Sequence, residues 1–363
     1  MKSTKIIFFL SVSLSVLSCK KDKEEVTEEF NKKEMLTNYG NNIIVPAYEE
    51  LELAISNLEN AVSNFVSVSN SANLQTLRNN YLTAYLQWQN CSFMEFGPSE
   101  NYTLKTICNT YPVDTSLINS NISSGSYVLG SASNTTAIGF PALDFLLFPD
   151  SSLSLALVTI NGNNAANKKQ YITDLVQQIK AGVNSTLSSW RGSYLSSFNT
   201  SDGNGQGSSL SEIVNAINLD FEKFTRDGKI GIPLGVRSLG TALPEKTESF
   251  YSKNSLILFK ESILGLKNYF NGTSSSNIGL DDYLNHLNDN NETARLSEKI
   301  NNQFDLILQK AEVLSDPISI AVTTEQANVQ ALYDELQKMI VLLKVDMSSA
   351  LSVLITYQDN DGD

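Results

Sequence analysis

The sequence predicts an all-α protein built as two helical bundles. Two observations predict the helical bundles. Apolar residues recur at steps of three and four over long stretches, and strand-like alternation is scarce. The breaks rich in glycine, serine and asparagine fall between those stretches, as the connections of a bundle do.

Residues 1–18 read as a secretory signal. Lys2 and Lys5 precede an apolar run from Ile6 to Leu17 that only serines interrupt. The run is shorter than the roughly 20 apolar residues of a membrane span. Val16-Leu17-Ser18-Cys19 looks like the bacterial lipobox, so lipidation at Cys19 is expected. The membrane is then a partner through acyl groups, and the expected location is the bacterial cell envelope, at the outer membrane. Residues 19–31 should be a flexible tether, because Lys20–Glu29 is charged and almost free of apolar side chains.

An N-terminal bundle is expected over 32–200. It opens with a helix near 33–66 that Pro46 should kink. Leu74, Leu77, Tyr81, Tyr85 and Trp88 share one helical face, as do Tyr171, Leu175, Ile179, Val183, Leu187 and Trp190. Residues 119–136 read as an irregular break. The flexible loop Asn199–Ser209 sets the boundary, and a C-terminal bundle is expected over 208–363. Its helices are placed near 209–226, at 253–270 with Ser252 or Asn254 as N-cap, along the stripe Leu296, Ile300, Phe304, Ile307, Ala311 and Leu314, and at 325–350. Ser352–Tyr357 fits a short strand or the end of a helix.

Charge and residue counts exclude several functions. The chain carries −13, and setting aside the two lysines of residues 1–18 leaves −15. Nucleic acid is therefore not an expected partner, since it requires clustered Lys and Arg. The single histidine, His286, excludes a multi-histidine zinc site and any machinery that needs a second imidazole. Beyond Cys19 only Cys91 and Cys108 remain, either as a disulfide or as two buried thiols.

Three segments differ from ordinary bundle sequence. In Ile138–Phe148, Gly139 ends a loop, Pro141 suits a first helical turn, and Asp144 stands among large apolar residues. Burying that carboxylate demands a cation, an arginine or backbone amides, unless it serves the amide-rich start of its own helix. Asp227–Arg237 is so dense in glycine that it reads as a shaped loop, bracketed by Arg226 and Arg237, either of which could meet a carboxylate. Pro244–Ser255 brings Glu248, Ser249 and Tyr251 together with more hydrogen-bonding capacity than a turn requires.

These segments, in this order, resemble the imelysin family, helical envelope proteins once described as insulin-cleaving peptidases and related to the periplasmic component of a ferrous-iron uptake system. The resemblance rests on Ile44–Tyr48, Phe96-Gly97-Pro98, Gly139–Phe148, Gly231–Gly235, Glu248–Ser252, Gly279–Leu284 and the tail Val353–Asp363. Its central and tail versions look like those of Bacteroidetes-type lipoproteins. The last five residues, Asp359–Asp363, also resemble the first half of a calcium loop, without the later glutamate that such a loop requires.

The family signature is Gly-x-His-x-x-Glu, whose His and Glu can face one ligand. Here Gly139 is kept, Pro141 stands at the histidine position and Asp144 at the glutamate position. Proline can neither bind a metal nor move a proton, so no catalytic residue is assigned. The resemblance implies a ligand cleft between the bundles, drawing on Gly139, Pro141, Asp144, Arg237, Glu248, Ser249, Tyr251 and Ser252, with Asp144 as the candidate ligand of an iron ion. The expected function is a non-catalytic envelope binding protein that takes up iron, an iron-bearing ligand or a peptide, with an outer-membrane transporter as partner. The alternatives are a metallopeptidase and a scaffold lipoprotein.

Overall fold

The computed structural model describes residues 29–287 and 295–357, all of them helix, turn or loop and none of them strand. The signal, Cys19, most of the tether and the Asp359–Asp363 tail lie outside the described residues. No helix among the described residues is long and apolar enough to cross a membrane. Residues from Asn31 onward form one compact unit.

The expected stripes form the core. Leu74, Leu77, Tyr81, Tyr85 and Trp88 of the Ser71–Gln89 helix are fully buried, as are Tyr171, Leu175, Ile179 and Val183 of Ala165–Ser189. Both helices, with the buried face of Val45–Ser67, build the first helical set. Each such side chain contributes about 1.5–3 kcal/mol on burial. The second set consists of Ser209–Leu219 and its continuation, Ser255–Phe270, Leu296–Glu312 and Gln326–Ile340. The loop expected at Asn199–Ser209 separates the sets in sequence, since helix ends at Thr200 and resumes at Ser209.

The sets meet where Ser255–Phe270 crosses Ser71–Gln89. Gly265 lets them approach closely there, since a Cβ would sit 2.5 Å from Asn90 Oδ1 and displace that side chain. Near the start of the unit, Asn38 Nδ2 donates to the carbonyls of Gly272 and Ile278, both at 2.9 Å. The Tyr39 hydroxyl donates to Tyr269 O at 2.8 Å and accepts from Leu280 N at 3.1 Å.

Several expectations need correction. The kink at Pro46 takes the form of a π-helical stretch, Tyr39–Ile44, that places the proline in the first turn of Val45–Ser67, where its missing N–H is tolerated. Residues 119–136 are more regular than expected. Asp114 caps a Thr115–Ser124 helix through Leu117 N at 2.9 Å, and Ala132–Ala137 forms a 3-10 turn. The polar residues that read as a break bind one another instead, Asn121 Nδ2 donating to Asn134 Oδ1 at 2.7 Å.

The glycine-rich 227–237 segment is helical as far as Leu234. Ser209–Leu219 continues as a π-helical Asp220–Gly231 and a short Ile232–Leu234 turn, and stops at Gly235, whose φ is +98°. Gly228 and Gly231 admit neighbours: a Cβ would lie 3.2 Å from the Tyr111 hydroxyl at the first and 2.8 Å from the Tyr333 ring at the second. After Ser348–Ala350, residues 351–357 form a turn and an irregular segment, neither strand nor helix. Cys91 and Cys108 are buried free thiols, not a disulfide.

Candidate functional site

The Gly139–Leu147 helix is buried along almost its whole length between Ser71–Gln89 and Ala165–Ser189. Gly139 opens it at φ +77°, with the Cys108 carbonyl only 2.4 Å from where a Cβ would stand, so no other residue fits. Asp144 is 1% exposed. Its Oδ2 accepts from Tyr251 N at 2.8 Å, and its Oδ1 accepts from the Tyr81 hydroxyl at 3.0 Å and Ser252 N at 3.2 Å. The amide-rich end that Asp144 serves therefore belongs to the turn ahead of Ser255–Phe270 and not to its own helix. Burial pushes its carboxyl up to about 6, against the pull of those hydrogen bonds and one from the Ser252 hydroxyl.

That turn is held further by its own side chains. The Ser249 and Ser252 hydroxyls lie 2.6 Å apart, and Ser249 takes the left-handed conformation at φ +54°. Ser252 is spent on Asp144 and Ser249, so neither serine caps the following helix, and Asn254 makes no side-chain cap bond either.

Glu248, also 1% exposed, lies on the other side of the turn. Its Oε2 pairs with the Lys229 ammonium, and its Oε1 accepts from Asn109 Nδ2 at 2.7 Å and Gln89 Nε2 at 3.3 Å. Gln89 closes a triangle by accepting from Lys229 at 2.8 Å. The Tyr85 hydroxyl donates to Asn109 Oδ1 at 2.6 Å and stands 3.2 Å from Glu248 Oε1. A second buried pair, Lys105 with Asp220, lies nearby, Thr225 donating to Asp220 at 3.1 Å. A void of about 20 Å³ beside these groups, into which Trp88 faces with an unpartnered Nε1, is large enough for one water.

The cleft is a chain of hollows between the two helical sets. A chamber of about 230 Å³ is lined by Pro141, Asp144, Ser249 and Tyr251, together with Tyr111, Lys246 and Thr247. Tyr111, Pro112 and Lys246 also wall a second chamber of about 400 Å³ that reaches Lys105, Lys223 and Phe224. Phe250 and Tyr251 are shared with a third, more open hollow of about 620 Å³ beside Arg78 and Lys253.

The structure thus brings Gly139, Pro141, Asp144, Ser249, Tyr251 and Ser252 together, with Glu248 immediately behind them. Arg237 departs from expectation. Exposed itself, it turns its Nε and Nη2 to the buried Asp227 Oδ2, at 3.2 and 2.6 Å, and Asp227 also pairs with the buried Arg226; Arg237 takes no place on the chamber walls. His286 lies in the Leu280–Leu287 helix and lines none of the three hollows.

Sequence reasoning missed Lys105, Lys229, Gln89, Asn109, Tyr111 and Lys246. One signal was available: Tyr81 and Tyr85, read only as packing residues, are tyrosines on successive turns, and their hydroxyls address the two buried carboxylates. A resident iron ion does not fit these residues. Asp144 is already occupied by three protein donors, Pro141 offers none, and no group of three His, Cys, Asp or Glu side chains among the described residues converges as a metal site.

Fold and site define an all-α protein of paired helical sets with a polar cleft between them, lined by the Gly139–Asp144 helix. The chain belongs to the imelysin family, whose model, described as Imelysin, matches residues 44–343. It is 22% identical over 323 residues to iron-regulated protein A of Synechococcus elongatus, covering 83% of each chain. Among solved structures it is similar to a putative iron-regulated protein A precursor from Parabacteroides distasonis, with a TM-score of 0.74, and to an imelysin-like protein from Psychrobacter arcticum, with a TM-score of 0.68. Each is 17% identical, and each alignment covers 90% of this chain and 97% of the other.

Proposed function

We propose that this imelysin-family chain is a non-catalytic binding protein of the cell envelope, anchored through Cys19 at the outer membrane and serving iron or nutrient acquisition. The observation that carries the reading is that the two buried carboxylates at the motif helix and its facing turn are engaged by the protein itself, Asp144 by two amides and a phenol and Glu248 by an ammonium and two amides. Neither is left to activate a water or to fill a metal's coordination sphere, whereas the second chamber, at about 400 Å³, has the volume of a small-molecule site. The similarity to iron-regulated protein A of Synechococcus elongatus supports the link to iron. An iron-bearing ligand or a peptide suits the cleft better than a bare ion, and an outer-membrane transporter is the proposed partner.

Calorimetric titration of the purified protein with ferrous, ferric and zinc ions, an iron chelate and short peptides tests the reading, with Asp144→Ala and Glu248→Ala alongside. Saturable binding of a chelate or peptide is expected, without bare-ion binding that depends on Asp144. Chelator-sensitive peptide cleavage by the pure protein, lost in Asp144→Ala, would overturn it in favour of a metallopeptidase. The anchor is tested separately: Cys19→Ser should move the protein from the membrane fraction to the soluble one.

A further inference from the structure

We infer that the second chamber and its junction with the first form a site for a small organic carboxylate, the anion at the junction and the apolar body in the larger chamber. The inference rests on the binding role proposed above and names the ligand class.

The argument begins with the cations. In a chain of net charge −13, the second chamber is walled by three lysines. Lys105 is committed to Asp220. Lys246, half-buried and shared by both chambers, has no ion-pair partner among the described residues. Lys223 also lacks one, and stands 5.8 Å from the Tyr357 ring. Two lysines without an ion-pair partner among the described residues, both lining one partly enclosed space, favour an anion there.

Neutral donors stand at the same junction. Tyr111 lines both chambers, and burial, with the charges of Glu248 and Asp220, keeps its phenol protonated and so able to donate. Thr247, 2% exposed on the wall of the first chamber, has a buried hydroxyl with no partner. Lys246, Tyr111 and Thr247 together offer a carboxylate one charged and two neutral donors. Phe224 supplies an apolar wall for the rest of the molecule. The opposing carboxylates are Glu95 in the second chamber, and Asp144 and Glu245 in the first; Asp144 is turned to its own donors, the amides of Tyr251 and Ser252 and the Tyr81 hydroxyl. Glu95 already accepts from the Ser99 hydroxyl at 2.5 Å.

The test is titration of the purified protein with benzoate, with its neutral isostere benzamide, and with inorganic phosphate. Benzoate should bind saturably and benzamide and phosphate at least about tenfold more weakly, a difference of about 1.4 kcal/mol. Lys246→Gln should weaken benzoate by about tenfold and leave benzamide unchanged, while Glu95→Gln should tighten benzoate. Lys246 makes no ion pair, so its variant should keep the wild-type urea midpoint. Benzamide or phosphate binding as well as benzoate, indifference to Lys246→Gln, or weakening by Glu95→Gln would each overturn the inference. Failure of benzoate while an iron chelate or peptide binds also overturns it and leaves the binding role intact. Loss of every ligand removes both.

Discussion

Asp144 Oδ2 accepts the backbone N–H of Tyr251 at 2.8 Å, joining two residues 107 positions apart in the chain. With Ser252 N and the Tyr81 hydroxyl, this contact fixes the turn that walls the first chamber onto the buried motif helix. The acidic position of the family signature acts here as a fastener between the two helical sets.

Asp144→Asn should therefore destabilise the fold although it removes a buried charge. Each carboxylate oxygen faces at least one N–H, so an amide nitrogen at either position would oppose a donor. The expected loss is about 1–3 kcal/mol, and Asp144→Ala, which strands all three donors, should lose more. Urea denaturation checks both, and hydrogen exchange at the amides of Tyr251 and Ser252 should quicken before the rest of the fold.

Stability should fall as pH rises from about 4 through 6. Burial raises Asp144 from 3.8 to about 6, and burial with the adjacent Asp282 raises Asp281 to about 6. A carboxyl raised in the folded state binds more protons there than in the unfolded chain, so its favourable contribution is complete below the unfolded value and lost above the folded one. Denaturation midpoints across this range would show the slope, and Asp144→Asn should reduce it.

The Lys229–Glu248 pair should behave as a buried ion pair, costly to break on one side only. Lys229→Met or Glu248→Leu alone should cost about 3–5 kcal/mol, and the double variant should recover a large part of that loss. A double-mutant cycle in urea provides the test, and additive losses would contradict a direct pairing.

Gly139→Ala should cost about 1–3 kcal/mol from its backbone conformation alone, and more once the added Cβ meets the Cys108 carbonyl. Gly192→Ala, where a Cβ would meet nothing, is the control. Equal thermal midpoints for the two variants would refute the steric account of the motif glycine.

The helices were legible because their apolar stripes, such as Leu74 to Trp88, repeat at the helical period over several turns. The demand that Asp144 find partners was legible too, since a carboxylate among large apolar residues is expensive to bury. Its actual partners were not, because they come from a turn more than a hundred residues later. The 227–234 segment misled because glycine serves two purposes that look alike in a sequence: a turn, as at Gly235, and close packing, as at Gly228 and Gly231. Lys105, Tyr111 and Lys246 gave no local pattern, as each is an ordinary residue until folding gathers them around one space.

The lacing of Asn38 and Tyr39 to the Tyr269–Leu280 corner has a mechanical consequence. A pull on the chain ahead of Asn31, such as a tethered protein feels in moving fluid, would pass through the Lys32–Asn38 helix and then load the second helical set at Asn38 and Tyr39. Several hydrogen bonds would share that load, and single-molecule stretching from that end should meet its main resistance at this corner.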